Sequence, residues 1–280
     1  MKITEDGFGL KNNGQLEVFF IGVGSAFAVT HHQTNFIIVK GDTHIMVDFG
    51  MTGPSALLDT TGLKPTDIEV VLPTHSHADH VGGLECLALM NRYVGRKLMN
   101  KPKTKIIVTG EYQRILWDYT LRGGLEWNEE RDTRIKLSFG DFFEIVHPQW
   151  KTYQPRETFE VEFGGIKVEF FRTKHIPEQA ESWEASFLSY GLMIDDRVFV
   201  SGDTRFDPDL VDMYVDKAEV MFHDVQFFPG AVHAPLEDLK TLPVKAKEKM
   251  YLTHYADNWQ NQDISDFAGW ATQGVRYCFD

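Results

Sequence analysis

The stretch His75-Ser76-His77-Ala78-Asp79-His80 places three imidazoles and a carboxylate within six consecutive positions. A lone histidine is usually a satisfied structural residue, but donors crowded this closely have no ordinary packing role. Without a cation they would repel or desolvate at a cost on the order of several kcal/mol. His75 and His77, two apart in a non-helical loop, can converge on one metal ion, while Asp79 and His80 turn toward a second point nearby. The short run Ile68-Glu69-Val70-Val71-Leu72 ends at Pro73-Thr74 and leads straight into His75. The cluster is therefore expected on a loop at the C-terminal end of a strand.

Outward from that loop, the pattern predicts strands over residues 16–23, 35–40 and 44–48, a meander with a turn at Gly41-Asp42. Apolar residues at helical spacing (Leu87, Met90, Tyr93, Val94) then predict a helix over 84–97, followed by a strand over 105–108 and a helix over 111–121. A second half opens near Thr158, with strands expected over 159–163, 166–171, 187–194 and 198–200, then 220–222, 250–252 and 275–279. Helices are expected over 208–215 and 264–271. Strands then helices, twice over, point to an α/β architecture of two sheets packed face to face with helices outside.

With 42% hydrophobic residues and no repeat, low-complexity tract or linker, the 280-residue chain can bury a large core, and residues 1–280 are read as a single domain. The most apolar stretch, 18–29, is too short and too glycine-containing to span a bilayer. Cys86 and Cys278 are too few and too far apart for a disulfide framework or a Cys-rich zinc site, which fits a reducing cytoplasm. A formal net charge of −13 argues against binding along a nucleic-acid polymer, which needs a basic stripe. One segment runs the other way: Arg92, Arg96, Lys97, Lys101, Lys103 and Lys105 fall between Cys86 and Gly110 with no acid among them. Facing the site, such a run would draw in a small anionic substrate; the commoner meaning is a solvated helix face and the loop after it.

His75 to His80, followed by Gly82-Gly83, resembles the defining motif of the metallo-β-lactamase-fold hydrolases, His-x-His-x-Asp-His with glycine shortly after. The match runs from about residue 16 to 279. His175 follows the strand expected at 166–171, Ser201-Gly202-Asp203-Thr204 follows 198–200, and Thr253-His254 follows Met250-Tyr251-Leu252. The resemblance implies that fold, a four-layer αβ/βα sandwich of two mixed sheets, and two divalent metal ions. It implies one ion held by His75, His77 and His175 and another by Asp79, His80 and His254, with Asp203 bridging. Imidazole and carboxylate donors without thiolate suit Zn first, with Mn or Fe as alternatives. Asp48, in Met46-Val47-Asp48-Phe49-Gly50, matches the family's early strand-end Asp. It either orients a ligand by hydrogen bonding or caps a turn.

Within that family a single-residue bridge such as Asp203 points to phosphoesters, because lactam-cleaving members usually lack a bridging carboxylate. Val220-Met221-Phe222-His223-Asp224 resembles the His-Glu-Ala-Thr motif of ribonuclease Z-like phosphodiesterases, with Asp224 for Glu and Val225-Gln226 for Ala-Thr. The implied catalytic residues are Asp79, orienting the attacking water, and His223, protonating the leaving oxygen. A strand-end histidine bonded to backbone is the plain alternative for His223. His233, in Gly230-Ala231-Val232-His233-Ala234-Pro235, is either a support for substrate or Asp224, or a surface-loop residue.

Ribonuclease Z enzymes that trim tRNA usually carry a protruding arm between the third ligand histidine and the bridging aspartate. Here only 27 residues separate His175 from Asp203, and expected core strands fill them. The expectation is a dinuclear metal-dependent phosphodiesterase for a small phosphodiester such as a cyclic nucleotide, resembling the phage anti-Pycsar type. The competing readings are a tRNA 3′ endonuclease, a lactonase-like carbon-bond hydrolase and a non-catalytic metal-stabilised scaffold. The extra length lies in residues 112–153, where Trp117, Tyr119, Trp127, Phe139, Phe142, Phe143 and Trp150 are expected to form a lid, a homodimer surface or a satellite core.

Overall fold

Strands Leu16–Gly22 and Tyr190–Ile194 are apolar nearly throughout instead of alternating, and each is buried at every position. A strand with no polar face needs cover on both sides. In a computed structural model, which describes residues 1–5, 7–127 and 136–280, two mixed sheets provide that cover. Each has eight strands among the described residues. The first runs in space Lys2–Thr4, Arg276–Phe279, Leu16–Gly22, Asn35–Lys40, Thr43–Val47, Val70–Leu72, Thr104–Ile107 and Phe143–Val146. It is antiparallel as far as Thr43–Val47 and parallel beyond. The second runs Gly269–Trp270, Met250–Thr253, Val220–Asp224, Val198–Val200, Tyr190–Ile194, Ile166–Arg172, Thr158–Phe163 and Gln149–Thr152. Its first four strands are parallel and the rest antiparallel. The sheets meet through aromatic rings: Phe222 lies 4.8 Å from Phe20 and 4.9 Å from Tyr277 between centroids. Helices Gly53–Thr61, Leu84–Met90 and Pro208–Tyr214 bury Leu57, Leu87 and Leu210 against the outer faces. This is the expected four-layer αβ/βα sandwich.

The pairing directions put the candidate residues at one edge. In the first sheet, parallel Thr43–Val47 and Val70–Leu72 lead into Asp48 and His75. In the second, Ile166–Arg172, Val198–Val200 and Met250–Thr253 run in the same direction and lead into His175, Asp203 and His254. Sites in sheets of this kind form outside the carboxyl ends of strands.

Several elements depart from the sequence reading. Residues 264–271 form no helix; they lead into the short strand Gly269–Trp270 beside Met250–Thr253. Gly269, at φ 147°, lies outside helical space, and Ala271 donates its N–H to Leu252 instead. The helix expected over 84–97 is regular only to Met90 and continues as wider π-type turns over Asn91–Arg96. There the Asn91 amide donates to both Leu87 O and Pro65 O, intruding on the helical ladder. The helix expected over 111–121 likewise widens at Trp117–Leu121. Helix Gly53–Thr61, framed by Pro54 and left-handed Gly62, and strands Phe143–Val146 and Gln149–Thr152 are additional.

Of the aromatic segment 112–153, residues 128–135 lie outside the described residues. Elsewhere in it Trp117, Phe139, Phe142 and Phe143 pack on one another, whereas Tyr119, Trp127 and Trp150 are exposed. The basic run lines a groove through Arg92, Arg96, Lys97, Lys101 and Lys103, at the N-terminal end of strand Thr104–Ile107. That is the edge opposite His75, so the groove does not face the candidate site. No described helix is long and apolar enough to cross a membrane.

Candidate metal centre

The His75 loop is braced from behind by the chain that follows Thr43–Val47. Gly50 makes this approach possible, because a Cβ there would sit 1.9 Å from the carbonyl oxygen of Asp79. The Asn35 amide joins the two segments, donating to Asp79 O at 3.3 Å and accepting from Gly50 N at 2.7 Å. Phe49 N donates to His80 O (2.7 Å) and Met51 N to Ala78 O (3.1 Å). One helical turn, Ala78–Val81, then rotates Asp79 and His80 into the interior, where both are buried. Asp48 and His254 leave their strands in left-handed backbone, at φ 59° and 58°. That conformation is uncommon for residues with a side chain and concentrates at functional sites. Gly202 does the same at φ 59°, with a would-be Cβ 2.4 Å from Tyr190 O. These sharp exits aim Asp48, Asp203 and His254 into the space that His75 and His80 occupy.

Two groups of donors result. In one, Nδ1 of His77 lies 3.1 Å from Nε2 of His75 and 3.0 Å from Nε2 of His175. Oδ2 of Asp203 is 3.6 and 3.7 Å from those two Nε2 atoms. Tetrahedral nitrogen ligands at about 2.1 Å from an ion would be roughly 3.4 Å apart, close to this spacing. In the other group, Nε2 of His80 lies 3.3 Å from Asp79 Oδ2 and 3.2 Å from Asp203 Oδ2. Nε2 of His254 lies 3.1 and 3.6 Å from the same two oxygens. Asp203 belongs to both groups. All seven residues picked out as ligands from the sequence thus come together.

Ring orientation is set from outside. Nδ1 of His80 lies 2.7 Å from Asp48 Oδ2, and Asp48 also accepts from Thr74 N (2.7 Å) and Thr74 Oγ1 (2.8 Å). Asp48 therefore does both things considered for it, securing the strand exit and orienting His80. Nδ1 of His175 lies 2.9 Å from Val232 O. Each contact places the ring proton on Nδ1 and leaves the Nε2 lone pair facing the cluster.

Electrostatics favour a cation here. Burial lowers the pKa of His75, His77 and His175, the last to about 4, keeping them in the neutral, ligating form. At His80 burial works the same way, but the charges of Asp203, Asp79 and Asp48 outweigh it and push the pKa well up. Burial would raise the pKa of Asp79 and Asp203, yet the imidazoles of His80 and His254 hold both well below the usual carboxylate range. Buried carboxylates are thus drawing whatever positive charge is near. Nε2 of His80 and Oδ2 of Asp203 also find no hydrogen-bond partner among the described residues. Orphaned buried polar atoms are costly, and a divalent cation between them would satisfy both. Nitrogen and oxygen donors without thiolate fit that role.

Beside the donors opens a cleft of about 500 Å³ bordered by His233 and His254. Nδ1 of His233 lies 2.9 Å from Asp224 Oδ2 and 3.9 Å from Asp203 Oδ2, and its ring stacks on His254 at 4.6 Å. Burial opposes protonation of His233, but the bond to Asp224 and the charge of Asp203 outweigh it and raise its pKa. His223, the proton donor expected from the sequence, is not at this cleft. It is fully buried, its ring stacks on Phe199 at 6.4 Å, and Nδ1 lies 2.8 Å from Asp224 O. Neighbours on a strand point to opposite faces. With Asp224 turned toward the donors, His223 must turn toward the layer of Phe199 and Tyr214. That alternation is legible in Val220–Asp224; of the two readings offered for His233, the contact at 2.9 Å is the one in which it supports Asp224.

A family model described as anti-Pycsar protein Apyc1 matches residues 16–277. The anti-Pycsar protein Apyc1 of Paenibacillus harenae is 36% identical over 244 residues, covering 86% of this chain and 90% of that protein. The anti-Pycsar protein Apyc1 of Bacillus phage BSP38 is 32% identical over 253 residues, covering 88% and 91%. Among solved structures, the metallo-β-lactamase fold protein YhfI from Bacillus subtilis superposes with a TM-score of 0.68 at 15% identity, over 95% of this chain and 100% of that one.

Proposed function

The chain belongs to the anti-Pycsar Apyc1 family, and from that premise we propose that it hydrolyses the phosphodiester of a small cyclic nucleotide at a centre of two divalent metal ions. It is a metal-dependent phosphodiesterase of the metallo-β-lactamase fold. In this reading His75, His77 and His175 hold one ion, Asp79, His80 and His254 the other, and Asp203 spans the two. One observation carries it: Oδ2 of Asp203 lies between 3.2 and 3.7 Å from four imidazole nitrogens drawn from both groups. The donor set suits Zn, with Mn or Fe as alternatives.

Bound, the ions supply positive charge against the phosphoryl oxygens and a nucleophilic water at neutral pH. The protein's residues do the rest. Asp48 and Val232 O fix the rings of His80 and His175, and Asp79 accepts a hydrogen bond from the attacking water. Asp224 holds Nδ1–H of His233, leaving Nε2 to face the cleft and pass a proton to the departing oxygen. Asp224 is itself held by Thr204 N at 3.2 Å, so the pair is positioned before substrate arrives.

The free thiols Cys86 and Cys278 support a cytoplasmic setting, and exposed Tyr119, Trp127 and Trp150 support self-association as a homodimer. The deciding experiment is metal analysis of the purified protein, followed by a screen against 3′,5′-cyclic nucleotides, 2′,3′-cyclic nucleotides, precursor tRNA and a lactone. The expected result is two metal equivalents per chain and turnover of a cyclic nucleotide that is lost in Asp203→Ala. Turnover of tRNA or lactone alone would overturn the reading.

A further inference from the structure

The chemistry at phosphorus needs only the space at the metal donors, yet the cleft bordered by His233 and His254 reaches about 500 Å³, enough for an organic ligand. Two of its walls carry phenylalanines with outward rings: Phe27 is 93% exposed and Phe228 59%. A single exposed apolar side chain is ordinary. Two on one cleft that also borders the catalytic histidines are not scattered.

Both rings stand on braced backbone. In the Phe27 loop Ser25 N donates to Tyr255 O (3.0 Å) and Ala28 N to Ser25 O (3.1 Å), while the Gln33 amide holds Ala26 O (3.2 Å). The Asp257 carboxylate secures the next turn, accepting from Val29 N (3.1 Å), Thr30 N (3.0 Å) and Thr30 Oγ1 (2.6 Å). Under Phe228, the Gln226 amide donates to Phe228 O (2.9 Å) and to Gly230 O, and accepts from His233 N (3.3 Å). These polar groups are committed to holding the loops. At the cleft the two loops expose the side chains of Phe27 and Phe228.

We propose that Phe27 and Phe228 form the seat of the nucleobase: they hold the heterocycle by stacking while the phosphodiester lies at the metal donors, an inference that rests on the phosphodiesterase reading above. Stacking on an aromatic side chain is favourable for any base, because each base has a π-face. A loop whose backbone is already held by hydrogen bonds loses little backbone freedom on binding. Gln226 ties the seat to the chemistry, since the same amide that supports Phe228 also supports the backbone of His233.

The test compares a 3′,5′-cyclic nucleotide with ribose 3′,5′-cyclic phosphate, which carries the same phosphodiester without a base. Steady-state kinetics are measured for the metal-loaded wild type, Phe27→Ala, Phe228→Ala and the aromatic-retaining Phe27→Tyr and Phe228→Tyr, with metal content and circular dichroism checked for each. The alanine variants should lose about 5- to 100-fold in kcat/KM on the cyclic nucleotide, chiefly through KM. They should stay within about twofold of wild type on the base-free substrate, and the tyrosine variants should recover most of the loss. Equal losses on both substrates, or no loss on either, would overturn the seat while leaving the phosphodiesterase reading in place. A wild type inert toward both substrates would sink that reading, and the seat with it.

Discussion

Replacing Asp48 by Asn tests whether the metal centre depends on a residue that does not itself belong to either donor group. The substitution keeps the volume of the side chain but removes its charge and one of its acceptors. Asp48 takes three hydrogen bonds: Oδ1 from Thr74 N at 2.7 Å, and Oδ2 from Thr74 Oγ1 at 2.8 Å and from Nδ1 of His80 at 2.7 Å. An asparagine amide in the same place must put its NH₂ where Oδ2 stands or where Oδ1 stands. In the first orientation the Thr74 hydroxyl can rotate to accept, but Nδ1 of His80 must also accept. The ring proton then moves to Nε2, and that nitrogen can no longer ligate. In the second orientation two N–H groups, those of Thr74 and the amide, face each other in a buried site. Losing such an orienting partner lowers metal affinity about 10- to 100-fold, or roughly 1.4–2.7 kcal/mol. The metal-free protein should lose only about 1–3 kcal/mol, the value of a charge-assisted hydrogen bond. Chelator competition with stepwise release of two equivalents measures the first quantity, and urea unfolding of the metal-free protein the second. One equivalent should weaken selectively. Two equivalents held as tightly as in the wild type would refute the orienting role.

Four further outcomes are expected. His233→Ala should lower kcat on a cyclic nucleotide by about 10²–10⁴-fold and much less on a p-nitrophenyl ester, whose leaving group needs no proton; His223→Ala should leave kcat within a few-fold, and the reverse pattern would return the proton donor to His223. Gly50→Ala, which drives a Cβ into Asp79 O, should strip metal from a protein that remains folded by circular dichroism; wild-type metal content would show the loop tolerates displacement. Arg156→Met breaks a buried ion pair of 2.6 Å with Asp207 and leaves that carboxylate only the Lys174 ion pair at 3.2 Å and the weak bond from Leu210 N at 3.4 Å, so urea unfolding should show a loss of about 3–5 kcal/mol. Lys97→Glu combined with Lys103→Glu should leave kcat/KM unchanged across ionic strength, because their groove opens at the far edge of the sheet; a salt-dependent fall would mean that it steers substrate.

Much of the site was legible one residue at a time. His75, His77, Asp79 and His80 announce themselves because so many donors in six positions have no other stable arrangement. His175, Asp203 and His254 each follow a recognisable β-branched or aromatic run, so their strand-end placement could be read from the sequence, while their selection as ligands came from the resemblance to the metallo-β-lactamase-fold hydrolases. The helix at 264–271 failed because Gly269 and the ladder to Leu252 compete with a helical pattern of only eight residues. Helix Gly53–Thr61 went unread although its proline and glycine boundaries were in plain view.

The choice between His223 and His233 shows where local reading stops. A strand's period of two says that His223 and Asp224 face opposite ways, but not which of them faces the cluster of donors. That was decided by the other sheet: Phe222 is spent on Phe20 and Tyr277 between the sheets, which sends Asp224 to the donors and His223 beneath Phe199. The same holds for Asp48, whose three hydrogen bonds reach residues at least 26 positions away, and for the cleft, which Phe27 and Phe228 both line only because their loops leave different sheets at the same edge. The amino-acid sequence by itself determined the metal chemistry, the layered fold and the family, since donor identity, spacing and hydrophobic period are properties of short segments. The tertiary structure alone decided that His233 and not His223 borders the cleft, that the basic groove opens at the far edge and that two exposed rings line one cleft, because each depends on which faces two sheets turn toward one another.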